Sequence, residues 1–200
     1  MTPPTVFTVG HSTRTIEEFV HLLKAHGIQH VIDVRSFPRS RHNPQFARNQ
    51  LSPALHRFGI HYSHMPGLGG RRHTRTDSTN TGWRNVSFRG YADYMETRAF
   101  KESLNRCIAL AHEEHVALMC AEAVPWRCHR SLIADALLAR GVEVSDVMNA
   151  MHARRHLLTP WARINGADVT YPGSGFETDQ VTSGRMGNGR RASGCLAGRC

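Results

Sequence analysis

VFTVGHSTRTIEEFVHLLKAHGIQHVIDVR, residues 6–35, changes its hydrophobic period twice. Val6-Phe7-Thr8-Val9 is a short β-rich run, broken by Gly10-His11-Ser12. Thr15 and Glu18 then stand three apart, the spacing of a capping box. Behind it Ile16, Phe19, Val20 and Leu23 make one apolar helical face, and Gly27 supplies the stop. His30-Val31-Ile32-Asp33-Val34-Arg35 follows at once, mostly apolar as a buried parallel strand should be. The stretch therefore predicts a βαβ unit.

The same alternation continues outward. A short helix opened by Ser52-Pro53, with Leu51, Ala54, Leu55 and Phe58 on one face, precedes a weaker strand, Ile60-His61-Tyr62-Ser63. Residues 64–90 show no periodicity and read as a long binding loop or lid. One helix is expected from about Tyr91 to His112, then the core strand Val116–Cys120, a helix carrying Leu132, Ile133, Ala136 and Leu137, and a last short strand, Val142-Glu143-Val144. Strands alternating with amphipathic helices imply an α/β fold, a mostly parallel sheet with helices on both faces. The expected domain covers residues 1–165. Residues 166–200 are rich in Gly and Arg and poor in large apolar side chains, and read as a disordered tail.

With 200 residues the chain fits one domain. It shows neither the charged start and apolar run of a secretory signal nor a stretch of about 18 apolar residues, so the cytoplasm is the expected location and no membrane partner is expected. Five cysteines at irregular positions read as thiols, without the spacing of a structural zinc site, and no metal ligand is assigned. The formal charge of +9 points to an anionic partner: a small molecule, a nucleotide or nucleic acid. Four of the arginines behind it lie in the tail, so a basic tail on a mildly basic domain explains the charge equally well. Neither a cofactor nor an oligomeric state can be read.

In open parallel sheets ligands bind beyond the carboxyl ends of the strands, where loops converge and helix N-termini point. Three chemically loaded segments fall there: Gly10-His11-Ser12, Asp33-Val34-Arg35 with Ser36-Phe37-Pro38-Arg39, and Cys120–Arg130, which reads CAEAVPWRCHR. Together with NPQF, LGG and FRGYADYM, these strings make the chain, from about Thr5 to Val147, resemble the family called domain of unknown function 488. The resemblance implies a Rossmann-like three-layer α/β/α domain with the motifs gathered in one site. Some members carry a DNA-repair label.

Cys120 ends a strand and faces either the rim or the core. Cys128 sits where the next helix begins, with Arg127 and Arg130 beside it, and is expected to be the more reactive thiol. Glu122 is a general base or an ion-pair partner, and His11 a base, a donor to ligand or a turn residue. These four are the candidate catalytic residues. Ser12, Asp33, Arg35, Arg39, Arg89, Tyr91, Trp126, Arg127, His129 and Arg130 are candidate binding residues. Asp33 and Arg35 belong to an IDVR string shared with rhodanese-like domains, where they are largely structural. In the 67–90 loop, Arg71, Arg72, Arg75, Arg84 and Arg89 interleave with Trp83 and Phe88, a mixture that suits phosphates and bases or a merely solvated loop.

The leading expectation is an enzyme acting on a nucleotide or a nucleic-acid base. Group transfer of the rhodanese or cysteine-phosphatase kind is the first alternative, although the loop after Cys120 lacks the glycines of an anion cradle. A redox or metal-responsive binding protein is the second.

Overall fold

The computed structural model describes residues 3–173. Strand β1 (Thr5–Gly10), helix α1 (Ile16–Ala25) and strand β2 (His30–Asp33) form the expected first unit. Thr15 caps α1: its side chain accepts from the Glu18 amide while the Glu18 carboxylate accepts from the Thr15 amide. Helix α2 (Arg48–Arg57) leads to β3 (His61–His64). Then come α3 (Val86–Met95), α4 (Arg98–Glu113), β4 (Val116–Cys120), α5 (Arg130–Leu138), β5 (Glu143–Asn149), β6 (His152–Arg155), β7 (Arg163–Asn165) and β8 (Asp168–Thr170).

The main sheet runs β3-β2-β4-β1-β5-β6 and is parallel except for β6, which lies antiparallel to β5. Its two faces follow the two-residue period of β4. Val116, Leu118 and Cys120 point into a core shared with Tyr91, Phe100, Leu104, Leu132 and Ile133. Ala117 and Met119 point into another, with Phe19, Leu23, Phe46, Leu51 and Leu55. Helices α1 and α2 thus cover one face, and α3, α4 and α5 the other, giving a Rossmann-like three-layer α/β/α fold. No helix among the described residues is long and apolar enough to cross a membrane.

The connection from β1 passes through α1 on one face to β2, and that from β4 passes through α5 on the other face to β5. Because β1 and β4 are neighbours whose connections depart in opposite directions, the crevice beyond them is the sheet's switch point, the place where α/β sheets bind ligands.

Several boundaries differ from expectation for identifiable reasons. Helix α2 starts at Arg48 and contains Pro53, which is exposed, so the carbonyl deprived of its donor faces water. The single helix expected over 91–112 is two: Thr97 caps α4 by accepting from the Phe100 amide. Asn85 caps α3 by accepting from the Ser87 and Phe88 amides, which starts it well before Tyr91. The loop before it is packed rather than structureless. Asp93 accepts from the Arg75 amide, Ser78 and Asn80, and Trp83 packs among Phe88, Trp161 and Tyr171. Strand β5 is longer than foreseen, and β6 and the β7–β8 hairpin were not foreseen. Residues 166–173 fold onto the domain through buried Val169 and Tyr171, although the sequence places them in the tail. The rest of that tail, with its arginines and Cys195 and Cys200, lies outside the described residues.

Candidate active site

Backbone pairing across the switch point sets the site. The ladder between β1 and β4 continues into both loops: the His11 amide donates to Cys120 O at 2.9 Å and the Ser12 amide to Ala121 O at 3.0 Å. Gly10 permits this approach, since a Cβ there would collide with the Glu122 carbonyl. Ser12 turns the chain away with φ of 52°, the left-handed region that non-glycine residues seldom enter.

Within the loop after β4, a single 3₁₀ turn at Pro125–Arg127 folds Cys128 back over Cys120. Their Sγ atoms are 2.8 Å apart, short for two unbonded sulfurs although well beyond a disulfide bond of about 2.0 Å. Behind them lies Arg130, only 1% exposed. Its Nε donates to Cys120 Sγ at 3.1 Å, its Nη1 to Thr8 Oγ1 at 3.2 Å, and its Nη2 to the Glu122 carbonyl. The Glu122 amide also donates to Cys120 Sγ, at 3.3 Å. These donors favour a single negative charge shared by the pair. The hydrogen bond from Cys120 holds the Cys128 thiol well below its ordinary range against the opposing effect of burial, helped by His129 and Arg130. Cys120 is pushed well up by its bond to Cys128 and by burial, because a second anion would sit against the first.

His129 completes the group. Its Nε2 is 3.1 Å from the Val34 carbonyl and so carries the proton, which leaves the Nδ1 lone pair facing Cys128 Sγ at 3.5 Å. Tyr91 supports the ring, with centroids 5.1 Å apart, and the absent side chain of Gly70 leaves room for it.

On the other side of the crevice, Arg35 forms a forked ion pair with Asp33 and donates to the Phe46 carbonyl. Arg35 Nη1 reaches His11 Nε2 at 3.2 Å, while His11 Nδ1 donates to the Ser12 carbonyl at 2.8 Å. Both ring nitrogens are therefore occupied. Burial, with Arg35 adding to it, lowers the His11 pKa to about 4, so the ring is neutral at physiological pH.

The thiols open on a cleft of about 1000 Å³. Among the candidates, His11, Arg35, Arg39, Cys120, Glu122, Arg127, Cys128 and His129 line it. The others do not. Asp33 is fully buried, anchoring Arg35 and accepting from the Tyr62 hydroxyl. Tyr91 is fully buried, with its hydroxyl donating to the Leu68 carbonyl. Arg89 spends its guanidinium on the Trp83 carbonyl, and Trp126 lies outside the cleft beneath Arg154. Ser12 is a turn residue, and Arg130 sits behind the sulfurs. Arg71, Arg72 and Phe88 from the long loop line the wall, whereas Arg75 is committed to Asp77 and Glu96.

Sequence reasoning missed what holds Arg130. Thr8 donates to Asp146 at 2.7 Å; Asp146 and Asp135 flank His156, each at 3.1 Å; and the Tyr171 hydroxyl donates to Asp135 at 2.8 Å. Asp135 within an apolar helix and Asp146 within a core strand were the available signals, since a buried carboxylate requires partners.

Fold and site together define a doubly wound α/β protein with a paired-thiol cleft at its switch point. The chain belongs to the family described as Domain of unknown function DUF488, whose profile matches residues 15–137, more than half of its length. Neither a curated protein nor a solved structure matches it.

Proposed function

We propose that this protein is a thiol-dependent enzyme whose cleft takes an anionic ligand of nucleotide size, a nucleotide or a base presented by nucleic acid. The observation that carries the reading is the Cys128 thiol, set between the Cys120 thiol and the His129 Nδ1 lone pair and opening on a cleft walled by arginines. Arg39, Arg71 and Arg127 are exposed on that wall without a carboxylate partner among the described residues, which suits phosphate binding. Phe37 and Phe88 offer faces for a base.

In this reading Cys128 passes its proton to His129 and its thiolate attacks an electrophilic carbon of the ligand, forming the S–C bond. The electron pair of the displaced bond leaves with its group, which takes a proton from His129 or Glu122. Water then releases the adduct and restores the thiol. His11, neutral and bonded at both nitrogens, acts as a fixed wall. Such chemistry is compatible with the DNA-repair label some family members carry.

The 2.8 Å separation of the sulfurs favours one second reading, dithiol–disulfide exchange. Here the Cys128 thiolate attacks a substrate disulfide and expels one thiolate. Cys120, its proton passing to the departing sulfur, then attacks Cys128 Sγ and releases the second. An external thiol reductant must reset the pair. Anion-cradle group transfer gains no support, because the Arg127 and Cys128 amides bond to the Val124 and Pro125 carbonyls instead of pointing at a ligand.

The test is equilibrium binding of a panel of nucleotides and single-stranded oligonucleotides to the wild type, to Arg39→Ala with Arg71→Ala, and to Cys128→Ser. The expected result is binding weakened at least about tenfold by the arginine substitutions, retained by Cys128→Ser, and accompanied by a Cys128 adduct only in the wild type. If nothing in the panel binds, or binding ignores both arginines, the nucleotide reading falls. Consumption of a small disulfide with formation of a Cys120–Cys128 bond would install the second in its place.

A further inference from the structure

At the opposite edge of the sheet, where β2 and β3 begin, a second cluster of polar side chains has no part in the thiol site. We propose that His30, His61 and Glu114 bind one divalent transition-metal ion of the zinc type. The topology brings them together. His30 and His61 are register partners at the first positions of adjacent parallel strands, and Glu114 follows α4 just before β4, the other neighbour of β2. No spacing signature could reveal ligands so far apart in sequence.

The geometry asks for a cation. One ligand atom from each residue lies within 4.8 Å of the others. Glu114 Oε2 is 3.2 Å from His30 Nδ1 and 3.0 Å from His61 Nδ1. Tetrahedral zinc with nitrogen and oxygen ligands at 2.0–2.2 Å has ligand-to-ligand edges of about 3.3 Å, close to both separations.

His30 supplies an independent observation. Its Nε2 lies 2.9 Å from Ser63 Oγ, two residues along β3 on the same face as His61. With the proton on Nε2, donated to that hydroxyl, Nδ1 carries a lone pair beside Glu114, 3.2 Å away. Nδ1 is buried without a hydrogen-bond partner, since the carboxylate oxygen lies off its bonding axis. A lone pair held beside a carboxylate is repelled unless a positive charge lies between them, and an ion on the Nδ1 axis with Glu114 alongside removes the conflict. Ser63 then orients the ligating ring, the part a second hydrogen bond plays at most imidazole–metal bonds.

Two imidazoles and one carboxylate suit zinc, cobalt or nickel rather than calcium or magnesium. His61 is largely exposed, so the fourth position opens to water. The ion would staple the end of α4 to β2 and β3.

The experiment is zinc binding to the full chain, purified without a histidine tag, by competition with a chromophoric chelator, for the wild type, His61→Ala and Glu114→Gln. Both substitutions fall on side chains at least partly exposed, which spares the core. The expected result is one zinc equivalent fewer in each variant, with a zinc-induced rise in Tm seen in the wild type and lost in both. Cobalt at this equivalent should show only d–d bands, without the intense thiolate charge-transfer absorption of an ion on Cys120 and Cys128. Equal stoichiometry and affinity in all three proteins, no zinc uptake by the wild type, or uptake abolished by Cys128→Ser alone would each overturn the proposal.

Discussion

Replacing His156 by Gln should remove most of the pH dependence of stability between pH 7 and 10. His156 is 8% exposed and lies between Asp146 and Asp135 at 3.1 Å on either side. Burial alone would discharge the ring, but the hydrogen bonds and charges of the two carboxylates outweigh it and raise its pKa from 6.5 to about 9. At about 1.4 kcal/mol per unit, that difference amounts to about 3 kcal/mol. Because the folded-state pKa lies above the unfolded one, the contribution is complete below about pH 6.5. It declines as pH rises and is gone once pH passes the folded-state value near 9.

Urea unfolding of the wild type and the variant at half-unit intervals, compared as a difference curve, isolates this contribution from the thiols that titrate in the same window. The difference should be about 3–5 kcal/mol near neutral pH, since the variant leaves two buried carboxylates without their cation. It should shrink by about 3 kcal/mol toward pH 10. Titration of the His156 ring by NMR provides a check that does not require the variant to be stable. Parallel curves, or a ring that titrates at or below 6.5, would refute the assignment of a buried imidazolium.

In a Cys195→Ser, Cys200→Ser background, limited iodoacetamide labelling from pH 6 to 9 should modify Cys128 first, with its rate rising below the free-thiol pKa of about 8.5. Cys107, pushed up to about 12 by burial, should be slowest; Cys128 reacting more slowly than Cys120 would assign the first thiolate to the wrong sulfur. Gly70→Ala should slow Cys128 labelling at pH 7 about tenfold with circular dichroism unchanged, because its Cβ would sit 2.5 Å from His129 Nδ1 and displace the ring. Arg130→Met should cost about 3–5 kcal/mol in urea unfolding, as it strips the buried thiols and Thr8 of a charged partner, and labelling of Cys128 should shift to higher pH. Unchanged stability would show that the guanidinium is not holding the loop.

What the sequence made legible is what local patterns encode. The capping box at Thr15, the apolar run of β4 and the glycine stops mark the first five strands and helices α1, α2 and α5, and parallel connection then forces the loops after β1, β2 and β4 to one edge. Roles within that edge were less legible, because they depend on which way side chains point. Tyr91 and Asp33 stand beside the cleft in sequence yet turn inward to hold His129 and Arg35. Thr97 was a cap signal hidden inside an otherwise continuous helical pattern. The β7–β8 hairpin has three-residue strands with little alternation, and only the burial of Val169 and Tyr171 shows that it belongs to the domain. Nothing in a one-dimensional reading pairs Thr8 with Asp146, 138 positions away.

That buried network bears directly on the thiols. Arg130 and protonated His156 balance Asp135 and Asp146, so the cluster is neutral while Cys128 keeps its proton. Removing that proton to bulk water leaves one negative charge in a region from which water is largely excluded, a burial cost that the hydrogen bond from Cys120, with His129 and Arg130, offsets. Moving it to His129 Nδ1, 3.5 Å away, leaves the net charge unchanged and places the imidazolium against the new thiolate. The short transfer is thus the favoured way to activate Cys128. The fixed cation of Arg130 lowers the energy of the thiolate without having to move, as preorganised charge does in a catalytic site. A neutral residue at position 156 would tip this balance toward negative charge and make the thiolate harder to form, so His156→Gln should also shift Cys128 labelling to higher pH. If His156→Gln changes stability but leaves the labelling profile untouched, the network is a structural support alone and the thiols are tuned by their immediate neighbours.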